Sequence, residues 1–216
     1  MARKPRIKFA NHIYSVVTRV NNSDFFFENN QTCIEFLNHI KCVKKELGFK
    51  LYAFVIMSSH VHLLIQTNDD IADISGVMCH INGKFAVKYN KANQRKGHFW
   101  MDRFKSKLVE DLKHIANTIV YFALNPVRAG MVDHPLKFKF SSIHNVLDAE
   151  KFGDVIDPLP EEYQEIVTKF LKREGFIEFV ENIVKRISHI YSFKLKKNIK
   201  NQTFRHFSGT LSFVKQ

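Results

Sequence analysis

Two histidines separated by one apolar residue, His60 and His62, carry the clearest chemical signal in the sequence. In a β-strand, residues i and i+2 point to the same face, so both imidazoles can approach one metal ion while Val61 points into the core. Alternating polar and apolar residues on an exposed strand face give the same pattern. The pair therefore predicts a metal site only if other segments supply the remaining groups.

A second pair of polar residues, Tyr121 and Asn125, lies four positions apart in a segment with helical character. This spacing places both side chains on one helical face, near a helix end that Pro126 limits. Tyr121 could equally be a half-buried aromatic residue and Asn125 a C-terminal cap. Considered together with His60 and His62, however, the pair is less easily explained by these structural roles alone.

Four strands must hold the histidines in place. Ser58 and Ser59 have the length of a tight hairpin connection between two of them. β-branched and apolar residues predict the strands over 13–19, 51–57, 60–66 and 105–110.

Three helices alternate with these strands. Helical spacing of apolar residues predicts one over 31–47 ending at Gly48, one over about 71–90 capped by Asp69 or Asp70, and one from Leu112. The order strand, helix, strand, strand, helix, strand matches a ferredoxin-like split βαβ fold of the α+β class. We therefore expect an antiparallel sheet with helices on one face, and a second face that is free for a ligand.

The chain divides near residue 150. Residues 1–149 would form the main domain, and Gly153, Pro158 and Pro160 mark a connector. Residues 150–216 are predicted to be a helical, basic C-terminal extension.

The charge of the chain points to its partner. Among 216 residues, 33 Lys and Arg outnumber 21 Asp and Glu, for a formal net charge of +12. Such an excess favours a polyanion, and nucleic acid before an anionic membrane surface. The apolar runs are too short to span a bilayer, and no apolar signal core follows the basic N-terminus. We expect a cytoplasmic protein without membrane contact.

The ordered motifs resemble the Y1 transposases, the single-tyrosine branch of the HUH endonucleases, which includes the IS200-type and REP-associated tyrosine transposases. The resemblance covers most of residues 10–145. It is carried by the opening strand with Tyr14 and Arg19, the segment leading into His60-Val61-His62, the segment 99–106, and Tyr121 to Val132, whose Asn-Pro-Val-Arg-Ala-Gly is closest to the REP-associated branch.

The resemblance implies an enzyme that cuts and rejoins single-stranded DNA, with Tyr121 as nucleophile. It implies His60 and His62 as metal ligands, completed by Asn125 one helical turn beyond the tyrosine. One departure is visible, because the family usually has Pro-Asn before the first histidine and this chain has Ser58-Ser59. The departure concerns the loop and leaves every reacting group in place.

Two imidazoles and an amide oxygen suit Mg²⁺ or Mn²⁺ better than a closed structural zinc site, which has four protein ligands. The partner would be single-stranded or hairpin DNA, bound by a monomer or a homodimer. Basic residues and a tryptophan are the candidates for DNA contact. They are Arg19, Lys84, Lys88, Arg95, Trp100, Arg103, Lys105 and Arg128.

Two other functions compete with strand transfer. A protein of the same fold could bind structured DNA or RNA without cutting it, although it would not need Tyr121 or the histidines. A metal-dependent hydrolase of another substrate is disfavoured by the positive charge.

Overall fold

The computed structural model describes residues 9–21, 24–68, 72–146 and 152–161. At its centre is a four-stranded antiparallel sheet with the strand order β2-β3-β1-β4. The strands are β1 (Ile13–Arg19), β2 (Lys50–Met57), β3 (His60–Gln66) and β4 (Lys105–Val109). The predicted strands, the antiparallel sheet and the α+β class are confirmed.

Five α-helices and one π-helix accompany the sheet in the described residues. Helix α1 begins after the Asn29 cap and ends at Gly48, whose φ of 65° is the left-handed conformation that glycine adopts without strain. The helices are α1 (Asn30–Leu47), α2 (Ile74–Met78), the π-helix Cys79–Lys84, α3 (Phe85–Ala92), α4 (Leu112–Arg128) and α5 (Ile143–Val146).

One face of the sheet packs against α1, α2 and the π-helix. Alternate strand residues such as Val16, Leu63 and Ile65 point to this side and are buried against Phe36 and Ile81. We refer to it as the α1 side of the sheet.

The opposite face packs against α4, and here the prediction of helices on one face only is wrong. Leu64 and Val55 are buried against Ile119 and Phe122 of α4. The prediction holds for the helices between β1 and β4, which all lie on the α1 side. Helix α4 comes after the last strand, and its apolar residues pack on the opposite face. Helix α4 lies over β2 and β3, and the ends of β1 and β4 at Ile13 and Val109 are buried in the same cluster. The rest of β1 and β4 on this α4 side carries the exposed side chains of Arg19, Lys105 and Lys107.

The long helical segment on the α1 side changes geometry in its middle. In the π-helix, hydrogen bonds shift from i+4 to i+5, and side chains from outside satisfy its carbonyl groups. His39 Nε2 donates to the carbonyls of His80 and Ile81, both at 3.1 Å, and Trp100 Nε1 donates to that of Asn82 at 2.8 Å. The helix start is also corrected, because the cap is Asp73 rather than Asp69 or Asp70.

Residues 152–157 lie along the outer edge of β2. The Asp157 carboxylate accepts hydrogen bonds from the Leu51 amide at 2.8 Å and from Lys44 Nζ at 2.9 Å. Its own amide donates to the Leu51 carbonyl. The connector is therefore part of the packed domain, whereas residues 162–216, including most of the predicted extension, lie outside the described residues. Within the described part of the chain, no helix is both long and apolar enough to cross a membrane.

The Asp157 contacts generate a stability prediction. Asp157→Ala leaves a half-buried strand amide and an ammonium group without their shared acceptor, which should lower the free energy of unfolding by about 1–3 kcal/mol. Urea denaturation measures this change. The control is Asp154→Ala, which removes an exposed ion pair with Lys41 and should lower the free energy of unfolding much less than Asp157→Ala does. Equal effects would contradict the anchoring role of Asp157.

Candidate active site

The two histidines point to the α4 side of the sheet. Their neighbours Val61 and Leu63 are buried on the α1 side, and the strand alternation turns His60 and His62 the other way. The imidazole centroids lie 5.0 Å apart. His62 is 7% exposed, and His60, at the start of the strand, is half-buried.

Both imidazoles are neutral at physiological pH. Burial lowers the pKa of His60 to about 4, and the positive charge of Arg19 adds to the shift. Burial lowers the pKa of His62 to about 3, with smaller effects from His60 and Arg19. A neutral imidazole offers the nitrogen lone pair that a metal ion needs, so protons would not compete with a metal ion here near neutral pH.

The serine pair that replaces Pro-Asn forms the hairpin turn between β2 and β3. Ser59 Oγ lies 3.3 Å from His60 Nδ1, so a partner within the turn is available to orient this ring. Hydrogen bonding at one ring nitrogen leaves the other nitrogen for a metal ion. The turn is fixed by neighbours, because the Val20 amide donates to the Ser59 carbonyl and the Phe27 amide to that of Ser58.

Helix α4 brings Tyr121 to the histidines. The Tyr121 ring lies edge-on to His62 with a centroid distance of 5.7 Å. The next residue, Phe122, is buried and packs against His62 at 5.3 Å. Tyr121 itself is 38% exposed. A phenol that solvent can reach therefore stands beside a buried imidazole, with Phe122 fixing the contact.

Asn125 lies one turn further along α4, and its side chain is half-buried. Its amide nitrogen donates to the Tyr121 carbonyl at 3.0 Å, a bond that does not involve the oxygen Oδ1. The helix continues through Pro126 to Arg128, two residues beyond the expected limit. The assignment of Asn125 as third ligand stays a prediction.

Two arginines border the site. Arg19 of β1 is exposed and pairs in register with His60 of β3. The Arg128 guanidinium lies over the Tyr121 ring, 5.4 Å from its centroid. Positive charge thus lies beside His60 on the sheet and beside the Tyr121 ring on α4.

The other predicted DNA contacts are distributed over both sides of the sheet. Lys105 and Arg103 are exposed, and Lys105 is in the same cross-strand row as His62. By contrast, Trp100 packs against Phe36 and Phe99 on the α1 side.

Three further basic candidates also lie in the α1-side layer. Lys84 forms an ion pair with Glu46 at 2.9 Å, and Lys88 is exposed on α3. Arg95 lies over the Phe26 ring and donates to the His98 carbonyl. These three residues and Trp100 are on the side of the sheet away from the histidines.

Sequence reasoning missed the roles of Ser59 and Phe122. Both are neighbours of recognised residues, but their contacts with the imidazoles depend on the turn conformation and on how α4 packs. The chemistry of the predicted donors, two neutral imidazoles and the Asn125 amide oxygen, suits an open metal site. No set of three His, Cys, Asp or Glu side chains within the described residues could hold a metal ion.

Comparison with known families bears on this arrangement. The family model for IS200-like transposases matches residues 8–122, which include all four strands, both histidines and Tyr121. The chain belongs to the IS200-like transposase family. The match ends before Asn125.

Two curated relatives of this transposase chain are named as REP-associated tyrosine transposases. The one from Haemophilus influenzae is 32% identical over 129 residues, 56% of this chain and 73% of the relative. The one from Escherichia coli K12 is 24% identical over 120 residues, 53% of this chain and 70% of the relative.

A solved structure supports the fold. It is described as a REP-associated tyrosine transposase bound to a REP hairpin, and it matches with a TM-score of 0.60 at 20% identity. The match covers 74% of this chain and 93% of the solved chain. At this identity the likeness establishes the shared fold.

The pKa shifts predict how stability changes with pH. Unfolded histidines have a pKa near 6.5 and take up protons that His60 and His62 exclude in the folded protein. Their contribution is therefore complete above pH 6.5 and is lost as the pH falls towards 4. Without metal, the free energy of unfolding should fall by about 1–2 kcal/mol per histidine between pH 7 and 5.

Urea denaturation at the two pH values tests this, with His60→Asn and the His60→Asn/His62→Asn double variant as comparisons. Each substitution should reduce the pH dependence, because asparagine does not titrate. An unchanged pH dependence in both variants would contradict the buried, neutral state of the histidines.

Proposed function

We propose that this transposase-family chain is a metal-dependent endonuclease and strand transferase that cuts single-stranded DNA through a 5′-phosphotyrosine intermediate. The observation that carries the proposal is the contact between Tyr121 and His62, with ring centroids 5.7 Å apart. It joins a nucleophile on α4 to two neutral imidazoles on β3. Its neighbours Arg19 and Arg128 supply positive charge for a phosphate.

His60, His62 and the Asn125 oxygen would hold the metal ion. When bound, Mg²⁺ or Mn²⁺ supplies neutralisation of the phosphate charge and alignment of the phosphorus atom. The imidazoles stay unprotonated because they are buried, and Ser59 fixes the orientation of His60. The packing of Phe122 against His62 holds α4, and with it Tyr121, next to the histidines.

In the reaction, the Tyr121 hydroxyl oxygen attacks the phosphorus atom of a phosphodiester. A bond forms between tyrosine and phosphorus, and the bond from phosphorus to the 3′ oxygen breaks. The phenol proton passes to water, and the departing 3′ oxygen takes up a proton to become a free hydroxyl. The covalent link keeps the energy of the phosphoester, so a later 3′ hydroxyl can reverse the step and join strands without ATP.

A hairpin beside the cut is the expected substrate form. A solved protein of this fold is described as bound to a REP hairpin, and the two curated relatives carry the same REP-associated name. The excess of positive charge fits such a polyanionic substrate.

The tyrosine assignment predicts a covalent adduct. The full chain, with Mn²⁺ and a pool of 3′-labelled single-stranded oligonucleotides that combine a hairpin with random flanks, should give a labelled protein band on denaturing gels. Tyr121→Phe should abolish the band because it removes the attacking oxygen. Tyr89→Phe is the control, since Tyr89 packs in the aromatic cluster on the α1 side. An adduct that survives Tyr121→Phe would contradict the assignment, and binding without an adduct across the pool would favour a non-cutting binder.

The histidine assignment predicts a loss of metal-dependent cleavage. His60→Ala should lower Mn²⁺-dependent cleavage by at least about 100-fold, because a single imidazole remains. Circular dichroism should show an unchanged fold, since His60 is half-buried at the first position of its strand. His98→Ala, at an exposed histidine, is the control. Equal cleavage by His60→Ala and the wild type would remove His60 from the metal site.

A further inference from the structure

The half of the α4 side that α4 leaves open has a marked charge pattern. On β1 and β4, the residues that point to this side include the exposed Arg19, Lys105 and Lys107. Between them, Ser15 and Val17 are half-buried. Neither strand contains an Asp or Glu. The surface is therefore positive, with small side chains along its middle.

Cross-strand pairing connects this surface to the candidate active site. One row runs from Lys105 through Val17 to His62, and Arg19 pairs with His60 in another. Strands in a sheet lie about 4.8 Å apart, so the Cα atom of Lys105 is about 10 Å from that of His62. The surface is thus continuous with the place where Tyr121 meets the histidines.

The shape of this surface fits a single nucleic-acid strand. Helix α4 stands on β2 and β3 and forms one wall, and β4 is the far boundary. The open strip is two strands wide, on the order of 10 Å. One phosphodiester chain fits along it, whereas a duplex has two chains separated by grooves about 6 and 12 Å wide and cannot place both of them on the strip.

The two lysines are spaced for successive phosphates. They are two residues apart on one strand, about 6.6 Å along its axis, which an extended single strand can match. At the end nearest the histidines, the Met101 amide donates to the Arg19 carbonyl at 2.9 Å, and the Met101 side chain is 59% exposed. Methionine adapts to varied apolar partners and is suited to contact a base of any sequence.

We propose that Arg19, Lys105 and Lys107, with Val17 and Met101, form a track that holds single-stranded DNA next to the phosphodiester attacked by Tyr121. The basic residues contact phosphates, and the apolar residues contact bases. This proposal rests on the proposed function, because it assumes that DNA is the substrate. Among the predicted DNA contacts, Lys84, Lys88 and Arg95 do not belong to the track, because they lie on the other side of the sheet.

The test measures binding without cutting. The full chain carrying Tyr121→Phe is titrated in EDTA with a labelled oligothymidine of about 12 nucleotides, between about 50 and 200 mM salt. Adding Lys105→Gln/Lys107→Gln should weaken binding about tenfold at the lower salt. The slope of log K against log salt should fall by about 1.4, since each contact to a single strand contributes about 0.7.

The matched control is Lys45→Gln/Lys91→Gln, which removes the same charge from exposed lysines of α1 and α3 on the α1 side. It should leave binding within about twofold and reduce the slope less, because neither lysine lies on the track. Equal effects of the two double variants would overturn the track. Tighter binding of an RNA of the same length would overturn single-stranded DNA as the occupant of the track. So would a DNA duplex that binds as tightly as the oligothymidine and loses the same affinity in Lys105→Gln/Lys107→Gln.

The binding test and the covalent-adduct test can fail independently of each other. Loss of the adduct with track-dependent binding intact would contradict only the proposed cutting reaction. Adduct formation by the wild type, with unchanged binding in Lys105→Gln/Lys107→Gln, would contradict only the track.

Discussion

The packing of α4 on the β2–β3 half of the sheet is the contact on which the site depends. Phe122 is buried against His62, and this contact places Tyr121 beside the same imidazole. Burial lowers the pKa of both histidines and keeps them neutral, and at His62 the rings of Tyr121 and Phe122 from α4 contribute to this burial. Because α4 lies mainly over β2 and β3, the part of β1 and β4 that carries Arg19, Lys105 and Lys107 is exposed on the same face. The position of one helix thus sets which side chains lie beside His62 and which basic side chains stay exposed on the same face.

The site has uncharged groups at its centre and positive charges around them. The chain carries a formal charge of +12, yet the groups at the centre of the site are uncharged. The cations stand around them, with Arg19 on β1 and Arg128 over the Tyr121 ring. Neutral ligands can receive a divalent ion without repelling it, and the surrounding arginines attract phosphate. The Arg19 backbone is held on both sides, since the Met101 amide donates to its carbonyl and the next residue, Val20, donates to Ser59.

Local signals in the sequence were sufficient for the strands, the Ser58-Ser59 turn and α1, because alternation, β-branching and Gly48 act over a few residues. The pairing of histidines and tyrosine required the family resemblance, since nothing local relates β3 to α4. The face that α4 covers could not be predicted, because a helix after the last strand can pack on either side. The π-helix depends on His39 and Trp100, which are distant in sequence, and the choice of Asp73 as cap depends on where that segment joins the core.

The central claim is that α4 and β3 together form one DNA-cutting site with Tyr121 as its nucleophile. Peptide mapping of the covalent adduct by mass spectrometry tests this most directly, because the tryptic peptide from His114 to Arg128 contains Tyr121 as its single tyrosine. The account predicts that this peptide carries the 3′ fragment of the oligonucleotide through its 5′ phosphate. An adduct on a different peptide, or cut DNA with a free 5′ phosphate and no adduct, would contradict it.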